Sequence, residues 1–369
     1  MSNGPLRTVR CLSDPALLPA EHEQATHRCV MARLAALLRL PTGGEWTVSM
    51  PAAATYFVPR QTLSGTQAAS CGIRCADDLF GGVVPESHMG TKVITHGLFS
   101  PASTAPSGWC AAFTEAVAEV VLRGYSVFDR GDLQRAGRAL LDEGGLRLKL
   151  PNGIGGQDQR VITDPGQLAG LYALPAESER LAGEGLVLEE NLAAVITRSV
   201  GQVWLGGIRM SYVGVQGSTP DNHGAPVYGG SDLWCVRGGF GALEQLDTDA
   251  NAQLAIRQAR TYHEAALRCF PGIILSRANY DVAQGTDAQG HWRSGVLEQS
   301  WRAGGASAAE IEAVAILQQQ PQRQTVHVRT VERYGDAVAP AGAIVLFHGH
   351  DPRNGPLLKY AEVIPDAAA

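Results

Sequence analysis

The sequence predicts an α+β protein whose first ninety residues form a small α/β domain. Three observations carry this. Apolar positions at helical spacing recur over 20–40, 107–124, 131–145 and 250–270. Short apolar runs with strand character lie between them, such as TYFVP at 55–59 and GLVLEENL at 185–192. Glycine is abundant, 43 of 369 residues, about 12% against a usual ~7%, so tight turns and close backbone approaches are expected.

The chain is long enough for two or three domains with a sizeable core. Hydrophobic residues make up 45% and charged residues 18%, an ordinary composition for a soluble protein. The net charge is −6 and no basic stripe stands out, which argues against a nucleic-acid partner. No apolar run reaches the length of a membrane span. The opening residues MSNGPLRTVR lack the apolar stretch of a signal peptide. Seven cysteines without framework spacing read as reduced thiols, so a cytoplasmic protein is expected. Cys71 and Cys75 are expected to form a buried pair rather than a zinc site.

Along the chain, residues 20–40 read as a helix stopped by Pro41, and 63–73 as a second helix. Residues 107–124 read as a helix closed by Gly124. Asp164 is a candidate N-cap with Pro165 in the first turn. SDLWCVRGGF reads as a glycine-rich, mobile stretch. IILSRANYDVAQG and SGVLEQSWRAGG read as two strands joined by TDAQGHW. Ser307 and Glu310 carry a capping-box signature. Residues 325–364 read as short strands and turns.

Four segments hold residues with chemical potential. In LRLKLPNGIGGQDQRVI a strand ends in Lys149, and Gly153, Gly155 and Gly156 follow with Gln159. Glycines there let backbone amides curl over an anion, and the lysine adds a positive charge. A hairpin with a glycine turn and a solvent-facing lysine is the plainer reading of that segment alone. In the second, Asp281 and Glu298 lie on the two strands flanking TDAQGHW. Paired across the turn, both face one side, and two adjacent carboxylates repel unless a cation or proton lies between them. Magnesium suits such a pair when phosphates complete its shell. Arg277 and Arg302 flank it as candidates for phosphate or carboxylate oxygens, or simply as its ion-pair partners. Glu189 and Glu190 end an apolar strand where a linker between lobes can sit, or form a solvated strand end. Lys92 and His96 lie one helical turn apart, and neither alone implies a function.

The order of these features resembles the ATP-grasp superfamily over roughly 90–305. A lysine opens the domain; then come a strand lysine with its glycine loop, an acidic strand end, a strand aspartate, and E-x-x-x-R. DLFGGVVPESHMGTKVITHGL, KLPNGIGGQDQ, YGGSDLWCVRGGF and SRANYDV are most similar to an uncharacterised bacterial family of that superfamily. The resemblance implies two α+β lobes enclosing ATP, with 1–90 as a preceding domain, 91–187 as the lobe carrying the glycine loop and 188–369 as the lobe carrying the metal site.

Carried onto this sequence, Lys92 and Lys149 are the phosphate lysines, and Gly153, Gly155 and Gly156 the closing loop. Glu189 or Glu190 is the hinge acid beside adenine. Asp281 and Glu298 are the magnesium carboxylates, and Ser300 stands where asparagine often completes the shell. The implied activity is an ATP- and magnesium-dependent ligase. It activates a small carboxylic acid as an acyl phosphate, held by Arg277 or Arg302, and joins it to an amine of an amino acid or peptide. A phosphotransferase and a non-catalytic nucleotide-binding module are the alternatives. A homodimer is the default oligomer.

Overall fold

The computed structural model describes residues 7–13, 19–47, 49–153 and 159–365. β1 (Thr8–Leu12), α1 (Glu21–Leu38), β2 (Thr42–Glu45) and β3 (Thr55–Pro59) come first. β1 is central and pairs in parallel with β2 and β3, with α1 as the crossover that parallel strands require. α1 starts where Glu23 Oε2 accepts the Ala20 N–H at 2.7 Å. It stops where Arg39 turns left-handed at φ 55° and Pro41 cannot continue the helix.

β4 (Leu63–Ser64), α2 (Gly65–Ser70) and β5 (Gly82–Val84) follow, and the far edge of β5 pairs with residues 274–275. α2 is shorter than the helix expected over 63–73. Cys71 is buried and Cys75 exposed, so the two do not form the buried pair expected of them. α3 covers only Ala111–Val117, with a single 3-10 turn after it. The helix expected to run on to Gly124 ends early because Val121 is drawn into a bridge with Val296, and Gly124 opens a strand.

β6 (Gly124–Val127), α4 (Arg130–Leu141), β7 (Leu146–Lys149), β8 (Gln159–Ile162), α5 (Pro165–Ala169), α6 (Pro175–Glu184) and β9 (Leu186–Glu190) build an antiparallel sheet backed by helices. Its strand order is β6-β9-β7-β8. Leu146, Leu148, Leu186 and Leu188 pack into one cluster with Leu133, Ala136 and Leu140 of α4. The two-residue period of the strands leaves Lys149, Val187 and Glu189 on the opposite face. Asp164 caps α5 as expected, accepting the Gly166 N–H at 2.6 Å.

The remaining chain supplies β10 (Ala193–Leu205), β11 (Ile208–Pro220), β12 (Pro226–Arg237), α7 (Phe240–Leu243), α8 (Ala250–Cys269), β13 (Ile274–Leu275), β14 (Arg277–Thr286), β15 (Trp292–Ser300), α9 (Ser307–Gln319), β16 (Thr325–Tyr334), β17 (Ile344–Asp351) and β18 (Gly355–Ile364), and all of these strands but β13 lie in one large antiparallel sheet. Eight strands run in the order β15-β14-β10-β11-β12-β16-β18-β17. The β10–β11 turn is Gly206-Gly207 with φ of +58° and +77°, the mirror-image turn that matches strand twist. α8 covers one face through Ala255, Ala259 and Tyr262 against Val200, Val213 and Tyr280. α9 and α1 cover the other.

Two expectations change here. SDLWCVRGGF is not a mobile stretch: its first residues end β12, in the interior of the sheet. Leu233 and Cys235 are wholly buried while Trp234 points away, the alternation of a sheet strand. The Ser307/Glu310 capping box does not form. Ser307 Oγ accepts the Gly304 N–H at 2.9 Å, and Glu310 turns inward to Arg277. The tail expected as short strands and turns supplies three strands of eight to ten residues. Among the described residues no helix is long and apolar enough to cross a membrane.

Candidate active site

Two polar centres lie on two different sheets and are linked through Lys92. The first is built on β7 and β9. Lys149 Nζ is ion-paired with Glu189 Oε1, and each side chain is only 1% exposed. His96 Nε2 lies 3.2 Å from the other Glu189 oxygen. Burial alone would push the Glu189 carboxyl up, but Lys149 and His96 outweigh it and hold it below the usual carboxylate range. Room for this comes from Gly124. A Cβ there would lie 2.5 Å from Leu188 O and 2.9 Å from His96 Cε1.

Glu190 turns the other way. Its carboxylate accepts the Arg123 N–H at 3.0 Å, pairs with the Arg123 guanidinium at 3.3 Å and lies 3.9 Å from Arg293 Nε. Geometry therefore separates the two acids: Glu189 faces Lys149, and Glu190 ties β9 to surface arginines. Gln159 is opposite Lys149 in register, and its Oε1 accepts from Arg147 Nη1 at 3.1 Å. Gly153 is buried, with its N–H on Leu150 O at 3.3 Å. Gly155 and Gly156 lie outside the described residues.

The second centre is built on β14 and β15. Asp281 and Glu298 are partners in register, which puts both carboxylates on one face. Asp281 Oδ1 accepts Asn279 Nδ2 at 2.7 Å and Ser199 Oγ at 3.4 Å, and Ser199 accepts from Gln216 Nε2 at 2.9 Å. Burial, then the neighbouring Glu298 charge, raise the Asp281 carboxyl. Lys92 Nζ sits 2.5 Å from Glu298 Oε2. The Lys92 N–H donates to Pro151 O at 3.3 Å, so this lysine ties the end of β7 to the second sheet.

An oxygen-only pair of facing carboxylates, one of them raised by the other, fits a hard divalent cation whose shell is completed by phosphates. Ser300 is opposite Asn279 in register, and its Oγ accepts from Arg277 Nη1 at 3.4 Å. Asn279 was missed in the sequence. It stands two residues before Asp281 on the same strand, and the two-residue period alone places an amide beside that carboxylate.

Arg277 and Arg302 differ. Arg277 makes a two-point pair with Glu310, Nη2 to Oε1 at 2.6 Å and Nε to Oε2 at 3.0 Å. Its Nη1 donates to Ser300 O at 2.9 Å and Arg302 O at 2.7 Å. Tyr212, whose hydroxyl donates to Glu310 at 2.7 Å, closes the cluster. Arg277 is thus committed to the fold and has no donor group left over for a ligand. Arg302 donates to Ala303 O at 2.8 Å and has no carboxylate partner among the described residues. Burial and the adjacent Arg277 charge lower its pKa.

Geometry of this kind, two sheets meeting over lysines and carboxylates, can be compared with known proteins. A family model described as "Protein of unknown function (DUF3182)" matches residues 12–361. The chain belongs to that family. No curated protein matches it. Among solved structures, this DUF3182 protein is similar to a biotin carboxylase from Campylobacter jejuni complexed with β,γ-ATP: TM-score 0.54, 11% identity, 97% of this chain and 87% of that one. A carboxyaminoimidazole ribonucleotide synthase from Aspergillus clavatus complexed with ATP aligns with TM-score 0.50 and 12% identity over 97% of this chain and 94% of that one. A phosphoribosylamine–glycine ligase from Thermotoga maritima aligns with TM-score 0.50 and 13% identity over 96% and 91%. The DUF3182 chain has the ATP-grasp fold.

Proposed function

We propose that this protein is an ATP- and magnesium-dependent ligase that activates a carboxylic acid as an acyl phosphate and joins it to an amine. The observation that carries the reading is that Lys92 joins Glu298, the register partner of Asp281, to the end of the strand that bears the Lys149–Glu189 pair. Lys149 and Glu189 are the nucleotide side of the site. Lys149 moves from Glu189 to phosphate oxygens, and Glu189 is then released to accept from the adenine amino group. Lys92 leaves Glu298 in the same way. Asp281 and Glu298 would hold the magnesium, with Asn279 and Ser199 fixing Asp281. The ion would supply charge neutralisation for the transferred phosphate.

A substrate carboxylate oxygen attacks the γ-phosphorus, and the β–γ bridging oxygen leaves with ADP. The amine nitrogen then attacks the acyl carbon, expels inorganic phosphate and loses a proton. Arg302 is the residue that meets the acyl phosphate. Arg277 positions it through Glu310 and the Arg302 carbonyl.

The test is phosphate release from Mg-ATP across a panel of acids with amines. Glu298→Gln should lower turnover at least 100-fold, about 2.7 kcal/mol of transition-state stabilisation, with ATP binding retained. Unaltered turnover in that variant removes the metal assignment, and a stable phosphoester as product replaces the ligase by a phosphotransferase.

A further inference from the structure

Cys110 and Cys269 lie 159 positions apart in sequence and in contact in the fold. Cys110 is the residue that caps the start of α3, and Cys269 is the last residue of α8. The Cys110 thiol donates to Cys269 O at 3.7 Å. Burial, and then the adjacent Cys110 thiol to which it is hydrogen-bonded, raise the Cys269 thiol. Packing holds the two in place. Phe113 follows Cys110 by one helical turn and Phe270 follows Cys269 directly, and their rings lie 4.7 Å apart. Phe113 also meets Tyr262 of α8 edge-on at 5.1 Å. All three rings are buried, so the cysteines cannot drift apart without opening a close-packed core.

Of the other cysteines, Cys11, Cys71 and Cys235 are buried. Cys75 is exposed and donates to Asp78 Oδ2 at 3.6 Å. Cys110 and Cys269 are half-buried. They are adjacent to each other and open enough to meet a small reagent, the two conditions that thiol–disulfide exchange sets.

Their location gives the pair a consequence. The chain between them holds the whole β6–β9 lobe. α3 leads into that lobe, and Val121 bridges to Val296 on the way. α8 backs the sheet that carries Asp281 and Glu298. Tyr262 Oη of α8 lies 3.1 Å from Thr95 Oγ1, so the same helix also holds the turn that begins at Lys92. A covalent link here ties the entry of one lobe to the helix behind the other.

We propose that Cys110 and Cys269 are a modification site: a low-molecular-weight disulfide oxidises them to an internal disulfide that clamps the entry of the β6–β9 lobe to α8. The chemistry is two successive exchanges. One cysteine thiolate attacks a sulfur of the reagent, the reagent's S–S bond breaks, and one reagent thiolate leaves. The second cysteine thiolate attacks the protein sulfur of that mixed disulfide and expels the other reagent thiolate. The two protein protons end on two reagent thiols, and the reagent takes up the two electrons. Closing so long a loop removes conformational freedom from the unfolded chain, so the cross-linked protein resists unfolding more than the dithiol does.

The experiment incubates the reduced full chain with oxidised glutathione, blocks remaining thiols with N-ethylmaleimide and maps peptides by mass spectrometry without reduction. A peptide pair joined through Cys110 and Cys269 should appear, while exposed Cys75 carries glutathione. The oxidised protein should melt about 3 °C or more above the reduced one, and dithiothreitol should reverse both changes. Cys110→Ser and Cys269→Ser should each abolish the rise in Tm, with the remaining cysteine of the pair stopping at its glutathione adduct. Cys75→Ser should keep the rise.

Glutathione adducts that persist at Cys110 and Cys269 in the wild type, or two thiols left unmodified, overturn the proposal. So does a cross-link that leaves Tm where it was, or a rise that survives in Cys110→Ser.

Discussion

Arg277 and Arg302 are joined by a hydrogen bond from the Arg277 guanidinium to the Arg302 carbonyl, yet their guanidiniums are in opposite circumstances. Arg277 is saturated by Glu310, two backbone carbonyls and the Tyr212 cluster. Arg302 keeps most of its donors and meets no carboxylate among the described residues. From sequence they are equivalent candidates for binding an acyl phosphate. The difference teaches that a motif arginine's role follows from how many donors the fold leaves it. It also shows how an unpaired charge is kept in place, because the saturated arginine holds the free one through its main-chain carbonyl.

The comparison breaks first on stability. Arg277→Met leaves Glu310 buried without its counter-charge, which should cost about 3–5 kcal/mol, read by denaturant unfolding. Arg302→Gln should leave the unfolding midpoint nearly unchanged and lower turnover at least 100-fold. A destabilised Arg302→Gln beside a well-folded Arg277→Met would reverse the assignment.

A smaller effect sharpens the contrast between carboxylates. Asp281 is raised by burial and by Glu298, whereas Glu189 is lowered by Lys149 and His96. A raised acid disfavours the folded state above its unfolded pKa, and that cost fades as pH falls and the acid takes up its proton. Asp281→Asn at neutral pH without magnesium should therefore raise Tm by about 1–3 °C while turnover collapses. A lowered Tm would mean that Asp281 is a structural anion like Glu189.

Much of this was legible in the sequence, and the rest has identifiable reasons for having been hidden. The hairpin bearing Asp281 and Glu298 follows from two runs of strand residues around TDAQGHW, and its register delivered the pairing. The capping signature at Ser307 failed because Glu310 had a stronger partner in Arg277, from a strand thirty-three positions earlier. SDLWCVRGGF read as mobile because its glycines drew more weight than its alternation. Asn279 was hidden by standing next to residues with louder chemistry. The contact of Cys110 with Cys269 has no sequence signal, since only packing brings together two cysteines 159 positions apart.

The central claim is that Lys149 leaves Glu189 for the phosphates of ATP, and calorimetric titration of Mg-ATP tests it most directly. The comparison is between wild type and Lys149→Met/Glu189→Gln, a pair that removes both buried charges together and so spares the fold. Wild type should bind, and the double variant should bind at least 10-fold more weakly with its Tm little changed. Equal affinity for Mg-ATP in the two proteins would contradict the account.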